Sequence, residues 1–368
     1  MKSQKFGIEI EMTGITREMA ARAIAGHFST AAYSIGGYND AYSVDDPAGH
    51  TWKIMRDASI AVQTRRMEQA GQAYSVEVVS PICLYDDIKT VQEVVRVLRK
   101  AGAKVNESCG IHVHVNAGPH TPKTLKNIVN IIASKEDMLY KALKIHVSRE
   151  RYCQKIDMGF VDGMNCRSRR DMSMDGISRI WYGDSGRPGR YHDSRYHGLN
   201  LNSVFFRGTI EFRLFNSTLH AGEVKSYIQL CLAISHQALV QQRASHIRTR
   251  SDNEKYTFRT WLLRLGMIGD EFKSARLHLL KHLQGNIAWK DPEQAEKQRL
   301  ALKENRQRER VTGQDRRWYD DTPDAHPGNA VQEDETGEYE ASPDGSEREC
   351  CSDSDGQEDN NMAMPISM

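Results

Sequence analysis

Ionisable and amide side chains recur at alternate positions in several short stretches of this chain. The first is Phe6-Gly7-Ile8-Glu9-Ile10-Glu11-Met12. Read as a strand, it places Phe6, Ile8, Ile10 and Met12 on one face and Glu9 and Glu11 on the other. Carboxylates two residues apart on one pleat face stand roughly 6 to 7 Å apart, too far to share a proton and well spaced to hold cations between them. The same alternation sets Glu77 against Val76 and Val78, and His112 and His114 against Ile111, Val113 and Val115. It also sets Asn200 and Asn202 against Leu199 and Leu201, and Glu211 and Arg213 against Ile210, Phe212 and Leu214, while Asp57 follows the end of a further strand. A sheet with one solvated face alternates in this way too, but that face is ordinarily Lys, Thr, Ser and Gln. Here the polar set consists of ligands for cations or phosphate. Oxygen-rich ligation with one imidazole suits Mg²⁺ or Mn²⁺, the cations that neutralise charge during phosphoryl transfer. Arg213 shares a face with Glu211 and can grip a phosphate there.

Other chemistries fit less well. The dipeptide Gly-Lys never occurs, so no Walker loop is present. A zinc-type metallohydrolase of amide bonds is the rival, built on His112-Val-His114 with a third ligand among His192, His197 and His220. Cys109 reads as a buried thiol rather than a nucleophile, since no triad surrounds it. The glycine-rich run 183–189 reads as a plain loop.

The elements that must carry these residues follow from periodicity and punctuation. Thr16 caps a helix with Met19, Ala20, Ala23, Ile24 and Phe28 inward. Residues 42–44 and 51–55 form a hairpin around Asp46-Pro47-Ala48-Gly49, and the alternation at 74–79 ends at Pro81. A helix spans 87–100 and stops at Gly102; another opens at Thr121-Pro122. Residues 147–196 read as loops and short elements. Residues 199–202 and 209–214 are the last two strands, joined through Arg207-Gly208. Helices are expected at 222–243, 255–265 and 270–283, with Tyr227, Tyr256, Phe258 and Trp261 as core.

The 368 residues are 39% hydrophobic and 27% charged, without a run of about 18 apolar residues to cross a membrane. The amino-terminal residues lack the apolar core of a secretory leader, so a cytoplasmic location is expected. Seven scattered cysteines with no Cys-x-x-Cys argue against a disulfide framework and a structural zinc site. Residues 331–359 hold twelve acidic side chains against Arg348, leaving the body with 49 basic and 37 acidic residues, a net +12. Those basic residues are dispersed, so no specific nucleic-acid partner is expected. The expected organisation is a catalytic domain at 1–290, a charged helical extension at 291–311 and an acidic disordered tail at 312–368 that offers a partner-binding segment.

Taken together, Gly7-Ile-Glu-Ile-Glu-Met12, Arg56-Asp-Ala-Ser59, Val76-Glu-Val-Val-Ser-Pro81, Gly110-Ile-His-Val-His-Val115, Tyr196-His-Gly-Leu-Asn200 and Thr209-Ile-Glu-Phe-Arg213 resemble the amidoligase family. That family lies within the carboxylate-amine ligases typified by glutamine synthetase and glutamate-cysteine ligase, and the likeness runs over roughly residues 5 to 290. It implies an α+β fold: a curved antiparallel sheet with one polar face binding ATP and Mg²⁺ (or Mn²⁺) and helices on the other. By position, Glu9, Glu11, Glu77, His112 and Glu211 resemble metal ligands, with Asp57 a further one and His112 favoured over His114. Arg213 would hold the transferred phosphate, with Glu77 and Asp57 beside it, and His112, His114, Asn200 and Asn202 would serve the nucleotide. Arg56, Arg195 and His197 would bind substrate. The implied reaction joins a small-molecule or peptide carboxylate to an amine through an acyl phosphate. A catalytically silent partner-binding protein on the same fold is the non-enzymatic alternative.

Overall fold

The computed structural model describes residues 1–166, 172–183, 189–288 and 290–316. The chain divides into two units, Met1–Gln298 and Arg299–Met368. In order the elements are β1 (Phe6–Met12), α1 (Arg17–Phe28), β2 (Ala32–Gly36), β3 (Ala41–Asp45), β4 (Thr51–Met55), β5 (Val76–Val79), α2 (Ile88–Ala101), β6 (Gly110–Asn116) and α3 (Pro122–Ala142). They continue as α4 (Met158–Asn165), α5 (Met174–Tyr182), β7 (Leu199–Asn200), α6 (Asn202–Arg207), β8 (Thr209–Asn216), α7 (Ala221–Val240), α8 (Glu254–Arg264), α9 (Lys273–Leu280) and α10 (Pro292–Arg316). Among the described residues the strands form one open, curved sheet in the order β2-β3-β4-β5-β1-β6-β8-β7, with every neighbouring pair antiparallel. None of the described helices is long and apolar enough to cross a membrane.

Local chemistry sets the boundaries. The Thr16 hydroxyl accepts from Met19 N at 3.2 Å and starts α1, Gly102 at φ 101° closes α2, and Thr121 with Pro122 opens α3. Phe6, Ile8, Ile10 and Met12 of β1 share a buried cluster with Ile111, Val113 and Val115 of β6, Ile24 of α1 and Val91, Val95 and Leu98 of α2. Full burial of each such side chain contributes roughly 2 kcal/mol. Phe28 of α1 meets Trp52 of β4 with ring centroids 6.0 Å apart.

The structure departs from simple periodicity at four places. Met19 is 47% exposed, and Ala21 and Ala25 join Ala20, Ile24 and Phe28 on the buried side of α1. Strand β2 has no buried residue, so its apolar pattern carries no signal. Asn202 is not on a strand: the chain leaves β7 after Asn200, makes one and a half turns as α6, and reverses at Gly208 with φ 71° into β8. Leu214 is buried in the core as expected, but a register shift keeps it from standing opposite the core residues of β6. A bulge sets Arg213 and Leu214 together against His112, so that Phe215 pairs with Ile111 and stacks on Tyr227 of α7 at 4.4 Å. Beyond the sheet, α10 runs to Arg316. The expected acidic tail lies outside the described residues from 317 onward, as do residues 184–188 of the glycine-rich run.

One core group makes stability depend on pH. Glu136 of α3 is 1% exposed, accepts from Ile156 N at 2.8 Å through Oε1, and leaves Oε2 buried without a partner. Burial pushes its carboxyl up to about 7, against the opposing Ile156 N–H, Lys155 and Arg248 and with help from Asp137. A folded-state pKa above the unfolded value means stability that is complete below the unfolded pKa and lost as pH rises towards the folded one, here roughly 3 kcal/mol between about pH 4.5 and 7. Glu136→Gln stays neutral and keeps the acceptor for Ile156 N. Thermal melts of the variant should therefore be flatter than wild type from pH 5 to 8 and several degrees higher at pH 8; superimposable profiles would refute the assignment.

Candidate active site

Cross-strand register gathers the carboxylates and imidazoles on the central strands. Glu9 pairs with His112, Glu11 with Glu77, His114 with Glu211, and Asn200 with Glu211. Side chains of directly paired residues project to the same face. His112 Nδ1 lies 3.0 Å from Glu9 Oε2, and its Nε2 lies 3.6 Å from Glu11 Oε1. His114 Nε2 is 3.4 Å from Glu9 Oε1, and its Nδ1 is 3.1 Å from Thr209 Oγ1. Glu211 accepts from Arg213 Nη1 at 2.6 Å and from Asn200 Nδ2 at 2.7 Å. Glu11 Oε2 accepts from Gly110 N at 2.6 Å. Asp57, at the end of β4, accepts from the backbone and hydroxyl of Ser59.

Electrostatics divide these carboxylates into two sets. Burial would raise the Glu9 carboxyl, but His114 and His112 outweigh it and hold it well below the usual range. Glu211 is likewise lowered, because Arg213, His114 and His112 overcome its burial. Glu77 is pushed well above its usual range by burial and by Glu9, Asp57 and Glu11. Glu11 is raised by burial, with His112 opposing. His114 is raised, because Glu9 and Glu211 overcome a burial that would lower it. The Glu11 and Glu77 side of the cluster therefore gathers more buried carboxyl groups than the neighbouring cations of the protein can hold ionised.

Two triads have donor atoms within 4.8 Å of one another: Glu9, His112 and Glu211, and Glu11, Glu77 and His112. They share one histidine, and carboxylate oxygens and imidazole nitrogens are atom types that can ligate a divalent cation. The family described as "Putative amidoligase enzyme" matches residues 2–235, a span that contains all eight strands and both triads. The chain belongs to this amidoligase family. It is thereby a ligase-type enzyme. No curated protein matches the sequence.

Other expected site residues fall in different surroundings. In this amidoligase Asn202 accepts from the Tyr182 hydroxyl and donates to Gly189 O at 3.0 Å. Arg195 lies over the rings of Tyr196 and Tyr191, 4.6 and 5.2 Å from their centroids. His197 Nδ1 is 2.8 Å from Ser194 O, and its ring meets Trp181 edge-on at 5.3 Å. Arg56 follows β4 directly and precedes Asp57. His192 bonds within its own turn and His220 caps α7, so among the described residues neither joins a triad with His112. Cys109 is fully buried and its thiol is pushed up to about 11, first by burial, which makes it a poor nucleophile.

Three participants were not apparent in the sequence. Arg207 Nη1 reaches Glu9 Oε1 at 3.3 Å from the end of α6. Thr209 holds His114, and Arg149 is buried at 3% exposure against Gly110. The one available signal was Gly110 itself, a residue without a side chain at the position on β6 adjoining His112 on the same face.

Proposed function

We propose that the protein is an ATP- and Mg²⁺-dependent ligase that joins a carboxylate to an amine through an acyl phosphate, on a sheet of the glutamine synthetase kind. The observation that carries this reading is the pair of triads sharing His112. Glu9 and Glu211 would hold one cation and Glu11 and Glu77 a second, with His112 shared between the triads and able to ligate one of them, and Asp57 nearby as a further ligand. A divalent cation such as Mg²⁺ or Mn²⁺ held by these residues would supply positive charge to offset the charge that develops during phosphoryl transfer.

The chain's own residues orient and bind. Asn200 fixes one oxygen of Glu211 and Arg213 the other. Arg213 Nε is buried with no protein acceptor, and the same is true of Nε in Arg56 and Arg195. Unpaired buried guanidinium donors are costly unless an anion meets them, so Arg213 grips the transferred phosphate while Arg56 and Arg195 receive a substrate carboxylate, with His197 beside Arg195. In the first step a carboxylate oxygen of the substrate bonds to the γ-phosphorus as the bond to ADP breaks. In the second an amine bonds to the acyl carbon as phosphate leaves and the amine gives up a proton. The catalytic unit is residues 1–290, with α10 and the acidic tail outside it.

The test offers the purified protein ATP, Mg²⁺ and a panel of amino acids, peptides and amines. ADP and amide should appear in equal amounts with at least one pair. No ADP release across the panel, or tightly bound zinc together with amide hydrolysis, would overturn the proposal.

A further inference from the structure

On β6 the alternate positions Gly110, His112, His114 and Asn116 share one side of the strand, and Gly110 leaves the place next to His112 without a side chain. A Cβ added there would stand 2.6 Å from the guanidinium carbon of Arg149, far inside contact distance. Arg149 comes from the short turn Val147–Arg149, remote in sequence, and is 3% exposed. Its Nη1 donates to Phe215 O, and its Nη2 donates to Arg213 O at 3.3 Å. Those two carbonyls bracket the bulge that sets Arg213 and Leu214 against His112. On the other side Gly110 N holds Glu11 Oε2, and the charge of Arg149 acts on Glu11.

We propose that Arg149 is a positioning residue of the cation site. It fills the side-chain place that Gly110 vacates, clamps the β8 bulge so that Glu211 and Arg213 face His112, and sets a fixed positive charge beside Glu11. It is too deeply buried to meet a substrate. The task suits arginine, because a planar fork reaches two carbonyls at once and a lysine ammonium does not. The inference rests on reading the two triads as cation sites.

A double-mutant cycle tests it. Gly110→Ala, Arg149→Gln and the double variant are compared by Mn²⁺ binding, followed through the free-ion EPR signal, on protein shown folded by circular dichroism. Wild type should bind two Mn²⁺ per chain. Gly110→Ala should weaken binding on the order of tenfold or more by displacing the guanidinium, and Arg149→Gln by a similar factor. The double variant should bind no worse than Arg149→Gln alone, since the added methyl then has room. Arg149→Lys, which keeps the charge but not the double grip, should remain impaired, and it carries the test if Arg149→Gln does not fold. Wild-type Mn²⁺ affinity in folded Gly110→Ala or Arg149→Lys, or penalties that simply add, overturns the inference alone. Failure of wild type to bind Mn²⁺, with or without ATP, overturns the two-cation reading itself.

Discussion

Glu9→Gln or Glu211→Gln removes ligase turnover, by a factor on the order of a thousand or more, while the chain remains folded. Both carboxylates belong to the triad that meets at His112, and both are held ionised by neighbouring positive groups. Glutamine has nearly the same shape but carries no charge and has one acceptor oxygen in place of two. At position 9 the amide can still meet His112, so β1 stays paired with β5 and β6. At position 211 it can still accept from Asn200. Its NH₂ group then faces Arg213, which weakens one local contact without opening the core. The loss is therefore expected in cation affinity and turnover rather than in the melting temperature. Steady-state ADP release, Mn²⁺ titration and a thermal melt on the same preparations check it. Either variant turning over at the wild-type rate would remove the cation assignment.

Arg213→Lys is expected to lose roughly a hundredfold or more in kcat, with a smaller change in the KM for ATP. One arm of the guanidinium is committed to Glu211 at 2.6 Å, while Nε is buried with no protein partner. A lysine can answer Glu211 or a phosphate oxygen, but its single ammonium does not span both in a fixed plane. On the proposed mechanism the missing contact forms as charge develops on the transferred group, so the deficit belongs in kcat. A variant that only raises KM would show that Arg213 serves nucleotide binding alone.

How far the sequence reached depends on which features are local. The faces of β1 and β6 were legible because strict alternation fixes which residues share a side, and the register then brought Glu9 to His112. The helix starts at Thr16 and Thr121 were legible because a cap is a contact within three residues. The phase change in β8 was not. It depends on Tyr227 stacking on Phe215 and on Arg149 holding two carbonyls, contacts made 12 and more than 60 residues away in the chain. Asn202 misled because Leu199 to Asn202 alternates as a strand does, whereas Gly208 permits a turn that lets α6 form first. Arg149 gave no signal among the other arginines of its region. Only the absent side chain at Gly110 marks where it goes.

The histidine common to both triads has a bonding limit. A neutral imidazole offers one N–H and one lone pair. With Nδ1 3.0 Å from Glu9 Oε2, the N–H belongs there, because a carboxylate only accepts. The lone pair on Nε2 then points towards Glu11, whose oxygen at 3.6 Å can give it no hydrogen. His112 in this tautomer can ligate a cation held by Glu11 and Glu77, but not one held by Glu9 and Glu211. Moving the proton to the other nitrogen reverses the preference. On the proposed two-cation reading the two positions would be unequal from the outset: the first cation to settle would take the imidazole, and the second would be held by oxygen alone.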